Sequence, residues 1–202
     1  MRKARIAVLV TGGGTNLQAL IDAQAAGRIP SGEIALVVSN RGDAYALQRA
    51  AGAGIPTRTV TKADYPASAE RAAALNAALA EFQIDMVVLA GYLGIIKSET
   101  IRHYSNRIIN IHPALIPSFC GMGFYGLHVH EAALKRGVKI TGATVHLVTE
   151  DVDGGPILLQ KAVEVQDGDT PEVLQRRVME QAEWLILPQA TEMIAEKIAK
   201  EL

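Results

Sequence analysis

Four short runs of Val, Ile and Leu punctuate the first 111 residues and restrict this chain to a narrow set of folds. They are ARIAVLV (4–10), GEIALVVS (32–39), IDMVVLAG (84–91) and RIINI (107–111). A strand with one wetted face alternates apolar and polar residues, whereas a near-continuous apolar run suits a strand buried on both faces of a parallel sheet. Helix-forming stretches separate the runs: TNLQALIDAQAAG (15–27), DAYALQRAAGAG (43–54) and the Ala-rich SAERAAALNAALAEFQ (68–83). The first two close on glycine, a common helix stop, and the third is built of strong helix formers. Strand and helix in alternation predict right-handed crossovers and a doubly wound, mostly parallel, Rossmann-like α/β sheet.

Beyond Pro113 the texture changes. PSFCGMGFYGLHVH (117–130) is Gly-rich and aromatic, and reads as a loop entering a short helix over about 129–136. KITGATVHLV (139–148) and GPILLQKAVEV (155–165) predict an antiparallel C-terminal strand pair joined by TEDVDG. The tail predicts one long amphipathic C-terminal helix, with Thr170 as N-cap, Pro171 at its first position and a break before Pro188. No repeat or linker interrupts residues 1–202, so a single domain is expected.

Charge and cysteine content remove several function classes. The 20 Lys and Arg against 21 Asp and Glu give a net charge of -1 without like-charge blocks, so no nucleic-acid footprint is visible. A single cysteine, Cys120, excludes an intrachain disulfide and fits a reducing compartment. The apolar start is too short for a secretory signal and runs straight into glycines, and no stretch has the length of a membrane span. The expectation is a cytoplasmic protein with neither membrane nor nucleic-acid partner.

Three motifs carry chemistry. In VLVTGGGTNLQAL, three glycines join a strand to a helix, and the N–H groups of Gly14, Thr15 and Asn16 can meet an anion at the helix N-terminus. A tight turn with Thr15 as N-cap is the plainer alternative. Leu17 stands where a dinucleotide fingerprint needs its third glycine, and Asn40 where it wants an acidic residue. The P-loop Gly-Lys-Ser/Thr is absent, so a monophosphate fits better than NAD or ATP. In RIINIHPALIPS, Asn110 and His112 are two apart on a strand and emerge on one face, while Pro113 ends the strand. That places an amide donor and an imidazole at the carboxyl end of a parallel strand, where open α/β sheets bind ligands. Together they can stabilise an oxyanion growing on an attacked carbonyl. The third motif is TEDVDGGP (149–156), which reads as a hairpin turn unless Asp153 meets a partner in space. A carboxylate beside His112 is expected to raise its pKa and favour the imidazolium.

The segments TGGGTNLQAL, VVLAGYL, NIHPALIPS, GATVHLV and DVDGGPILLQ resemble, in order and at compatible spacing, the folate-dependent glycinamide ribonucleotide formyltransferases of purine biosynthesis. The resemblance covers nearly the whole chain. It implies a formyltransferase fold, with residues 1–100 as the phosphate-binding half and 101–202 as the folate-binding and catalytic half. It further implies transfer of the formyl group of 10-formyltetrahydrofolate to a substrate amine, without a metal. Asn110 and His112 would hold the oxyanion, and Asp153 would orient His112. Gly14, Thr15 and Asn16 match the phosphate-binding turn, and Glu183 matches a ribose-contacting glutamate. Leu93, Gly94, Ile95 and Ile96, with Glu150, Asp151 and Val152, match the folate-binding segments. Many members carry arginines where Gly94 and Ser68 stand here, and Arg71 is the candidate replacement for the second. The loop 118–127 is longer than in some members. Related methionyl-tRNA formyltransferases carry an RNA-binding domain, and formyltetrahydrofolate hydrolases a regulatory one. The 202 residues match neither addition, which favours the ribonucleotide enzyme. A 10-formyltetrahydrofolate hydrolase, or a formyltransferase for another phosphorylated amine, is the alternative. Small-molecule substrates are the expected partners, and a homodimer stays open.

Three rival readings use the same residues. A cysteine hydrolase would need Cys120 activated by His112, yet Cys120 sits in a glycine loop with no helix N-terminus to lower its pKa. A metal site would combine His112, His128, His130 and Asp153, at spacings that match no strong zinc motif. A non-enzymatic nucleotide-binding module would use the glycine turn alone. Of the remaining histidines, His128 and His146 are second-tier site candidates, and His103 reads as a solvated helix end.

Overall fold

The computed structural model describes residues 2–202. Seven strands form one sheet: β1 (Ala4–Val10), β2 (Gly32–Ser39), β3 (Thr57–Thr59), β4 (Met86–Leu89), β5 (Ile108–His112), β6 (Ile140–Leu147) and β7 (Ile157–Glu164). Their spatial order is β3-β2-β1-β4-β5-β6-β7. Pairing is parallel from β3 to β5, then antiparallel for β5–β6 and β6–β7. The doubly wound sheet and its antiparallel C-terminal pair are as the sequence predicts.

The helices are α1 (Thr15–Ala25), α2 (Tyr45–Gly52), α3 (Ser68–Glu81), α4 (Ser98–His103), α5 (Leu127–Arg136), α6 (Pro171–Val178) and α7 (Trp184–Glu201). They cover both faces of the sheet, which explains the unbroken apolar runs. Along β1, Ile6, Val8 and Val10 enter one cluster with Leu17 and Leu20 of α1 and Leu187 of α7. Ala7 and Leu9 point the other way, into a second cluster with Leu75 and Leu79 of α3. The apolar residues of β1 therefore have buried destinations on both faces, and burying one Leu or Ile side chain contributes about 1.5–3 kcal/mol.

Three details differ from the sequence reading. Gly14, not Thr15, is the residue before α1; it adopts φ +72 and leaves Thr15 as the first helical residue. The tail does not break at Pro188, which lies inside α7. It widens instead into a π-helical turn over Met179–Glu183, between α6 and α7. Such a turn takes an extra residue within the helix, and here it ends on Glu183, which is turned inward and buried. Strand β3 has no apolar run to announce it: Thr57, Arg58 and Thr59 pair only with β2 at the sheet edge. Among the described residues, no helix is long and apolar enough to cross a membrane.

Candidate active site

The carboxyl ends of β4 and β5 open into a cavity of about 500 Å³, within the range of small-molecule sites. Strand register assembles its floor. Asn110 pairs across the sheet with His146, and His112 with Thr144. Directly opposed residues share a face, so Asn110, His112 and His146 emerge together. A register shift in β6–β7 falls between Val145 and His146, a bulge that re-aims the end of β6.

The hydrogen bonds define the polarity of this cluster. His146 Nδ1–H donates to the Leu147 carbonyl at 2.9 Å, which leaves Nε2 to accept from Asn110 Nδ2 at 3.1 Å. Asn110 thus keeps one amide hydrogen for a ligand. His112 Nε2–H donates to the Phe119 carbonyl at 2.8 Å. Its Nδ1 lies 3.7 Å from Asp153 Oδ2, and Asp153 Oδ1 lies 3.5 Å from His146 Nε2. Asp153 itself adopts φ +54 and accepts the Gly121 N–H at 2.8 Å, which ties the loop after β5 to the turn after β6. A Cβ on Gly155 would lie 1.8 Å from the Leu147 carbonyl, so only glycine lets this turn close on β6.

Electrostatics depart from the sequence expectation at His112. Burial pushes its pKa below the ordinary value and outweighs the raising effect of Asp153. Burial also raises the Asp153 carboxyl, but the His146 ring beside it, the hydrogen bond from the Gly121 N–H and the neighbouring His112 hold it below the usual range. The resting pair is therefore a neutral imidazole facing a carboxylate. Burial raises the Cys120 thiol as well, which removes the activated nucleophile that a cysteine hydrolase needs.

At the other end of the cavity, Asn16 Nδ2 donates to Glu183 Oε2 at 2.6 Å. Burial pushes the Glu183 carboxyl up to about 7, opposed by that hydrogen bond. The seven residues of the two expected folate segments all line the cavity, and Leu93, Ile95 and Val152 expose apolar side chains at its mouth. A Cβ on Gly94 would lie 2.5 Å from the outer end of the Tyr92 ring, so any larger residue here must displace that ring. Gly14 and Thr15 lie outside the ring of lining residues, next to Asn16, which is within it.

Two second-tier candidates are not brought to the site. His128 lies largely in solvent, with Nδ1 3.0 Å from Glu131 Oε2. Arg71 donates to the carbonyls of Tyr65 and Pro66, each at 2.7 Å, and does not line the cavity. His130, which the sequence reading offers only as a metal candidate, is the histidine of α5 that reaches the cavity. It is fully buried and lines the cavity, with neither ring nitrogen hydrogen-bonded, and burial followed by repulsion from His112 lowers its pKa to about 4. Helix phase could have found it, because His130 shares the buried stripe of α5 with Val129 and Ala133. With His128 turned outward, the four metal candidates do not converge, and no metal-competent group of three such side chains occurs among the described residues.

A doubly wound sheet with polar side chains gathered in a cavity at its strand ends is the arrangement of a small-molecule enzyme site. Residues 4–191 match the formyl transferase family, and the chain belongs to it. It is 44% identical over 196 residues to the human trifunctional purine biosynthetic protein adenosine-3, covering 96% of this chain and 18% of that protein. It is 40% identical over 184 residues to the phosphoribosylglycinamide formyltransferase of Haemophilus influenzae, covering 91% of this chain and 84% of the relative. Among solved structures, glycinamide ribonucleotide transformylase 1 from Symbiobacterium toebii superposes with a TM-score of 0.90 at 44% identity, over 96% of this chain and 89% of that one. A formyltetrahydrofolate deformylase from Pseudomonas syringae superposes at 0.85 with 28% identity, over 96% of this chain but 62% of that one.

Proposed function

We propose that this protein transfers the formyl group of 10-formyltetrahydrofolate to the amine of glycinamide ribonucleotide, in purine biosynthesis and in the cytoplasm. The observation that carries the reading is the gathering of Asn110, His112 and Asp153 in one cavity that also reaches Asn16 and Glu183 beside the glycine turn. The names of the Haemophilus influenzae and Symbiobacterium toebii relatives support the same amine substrate.

In this reading the substrate amine attacks the formyl carbon, and the carbonyl electron pair moves onto oxygen. The free amide hydrogen of Asn110 meets that oxygen. His112 turns its Nε2–H to it, exchanging the Phe119 carbonyl for the stronger acceptor. The proton released by the attacking amine is taken up at Nδ1, which makes His112 an imidazolium facing Asp153 until it gives that proton up again, a state favoured only once the oxyanion adds its own negative charge. The carbon–nitrogen bond to the folate then breaks as the carbonyl re-forms, and the proton lost by the amine ends on the departing folate nitrogen. Glu183 and Asn16 hold the ribose side, the Gly14–Asn16 turn holds the phosphate, and Leu93–Ile96 with Glu150–Val152 hold the folate. The whole chain acts as one domain, and both halves contribute to the cavity.

Purified protein with 10-formyltetrahydrofolate, with and without glycinamide ribonucleotide, tests the proposal through folate deformylation. Turnover that requires the amine supports it. Equal deformylation without the amine supports a hydrolase, the reading to which the deformylase likeness points. No turnover under either condition refutes both.

A further inference from the structure

The glycine turn is gripped from behind by α2. The Ala46 N–H donates to the Gly12 carbonyl at 3.1 Å, and Arg49 Nε donates to the Gly13 carbonyl at 2.8 Å. Across a trans peptide the carbonyl and the following N–H point in opposite directions. Pinning these two carbonyls against α2 therefore turns the N–H groups of Gly13 and Gly14 away from it, and neither donates to another described residue. A Cβ on Gly14 would lie 2.6 Å from Ala46 Cβ, so α2 fills the space behind the turn. On the cavity side, Asn16 is 8% exposed and its Oδ1 has no hydrogen-bond partner.

Arg49 is itself held on three sides. Besides Gly13, it donates from Nη1 to Gln18 Oε1 at 3.1 Å, and its guanidinium lies 5.0 Å from the Tyr45 ring centroid. An arginine tied to the turn, to α1 and to an aromatic ring is a rigid brace rather than a free surface charge. We propose that Arg49 is a positioning residue for the substrate phosphate. It sets the Gly13–Gly14 peptide so that the amide faces the anion, and it places a positive charge behind the turn. This inference rests on the assignment of the glycine turn to the phosphate of the amine substrate.

The test compares Arg49→Met, which keeps length but removes charge and donors, with Arg49→Lys, which keeps charge without the Nε geometry. Arg41→Met serves as the charge-matched control, since Arg41 pairs with Asp43 in an exposed loop. Arg49→Met is expected to raise both the KM for glycinamide ribonucleotide and the inhibition constant of inorganic phosphate about tenfold, the effect of losing one charged hydrogen bond. Its kcat and folate KM stay at the wild-type values, Arg49→Lys falls between, and Arg41→Met behaves as wild type. A merely structural role would lower Tm and disturb the folate KM equally, and that result overturns the inference, as does an Arg49→Met phosphate constant within about twofold of wild type. Thermal protection by inorganic phosphate is read without turnover and separates the two claims. Protection of both wild type and Arg49→Met overturns the role of Arg49 alone. No protection and no turnover in the wild type overturns the functional reading, and this inference with it.

Discussion

Asp153→Asn isolates the charge at the centre of the site. Asparagine is among the few side chains that tolerate left-handed backbone, so the φ of +54 at this position survives the change. The amide oxygen can still accept the Gly121 N–H that ties the loop to the turn. What disappears is the negative charge 3.7 Å from His112 Nδ1, between side chains only 5% and 10% exposed. At an effective dielectric constant of about 20, unit charges at that separation attract by about 4 kcal/mol. Burial already pulls the His112 pKa down, and Asp153 is the main group opposing it. Removing it denies the imidazolium its counter-charge when the oxyanion forms. The expected loss in kcat/KM for formyl transfer is about a thousandfold, with both KM values and Tm near wild type. A proton-NMR titration of the His112 ring reads the same interaction directly, and its midpoint moves further down in the variant. A kcat/KM within about tenfold of wild type, together with an unmoved His112 titration, refutes the reasoning.

Glu183→Gln keeps an acceptor for Asn16 but cannot ionise. The carboxyl rises from 4.5 to about 7 on folding, so the native state holds a proton that the unfolded chain releases in that window, and wild-type stability falls as pH rises through it. Calorimetry should find the two proteins alike near pH 4.5 and the variant more stable by about 3 kcal/mol at pH 8; a constant difference across that range refutes the assignment. His130→Leu removes two buried ring nitrogens that lack partners, and urea unfolding should show a gain of about 1–3 kcal/mol at pH 7. The gain grows as pH falls from about 6.5 toward 4, because only the unfolded wild-type chain takes up the proton there. Gly155→Ala must move the Leu147 carbonyl or the Asp153 turn, since its Cβ would lie 1.8 Å from that oxygen. A lowered Tm and loss of turnover, measured together, are expected.

How far the sequence carried depends on the range of the physics involved. The boundaries of β1 and β2 match their apolar runs residue for residue, because burial on both faces writes itself into consecutive positions. Strand β3 left no such trace, since an edge strand of three residues has little to bury. The shared face of Asn110 and His112 follows from strand period alone, and their meeting with Asp153 rested on a family resemblance. His128 and His130 show the limit of spacing without phase: the two lie about 200° apart around a helix, so only one can face the cavity, and the stripe of α5 selects His130. Arg49 escaped notice because its acceptor, Gly13, is 36 residues away, and nothing local marks a peptide plane held by a distant guanidinium. The sign of the His112 shift departs from the sequence expectation for a related reason. A neighbouring carboxylate can be read from a motif, whereas desolvation sums over every element that closes around the ring. That sum keeps His112 neutral at rest, and in the proposed mechanism it makes Asp153 a group that acts when charge develops on the substrate rather than before.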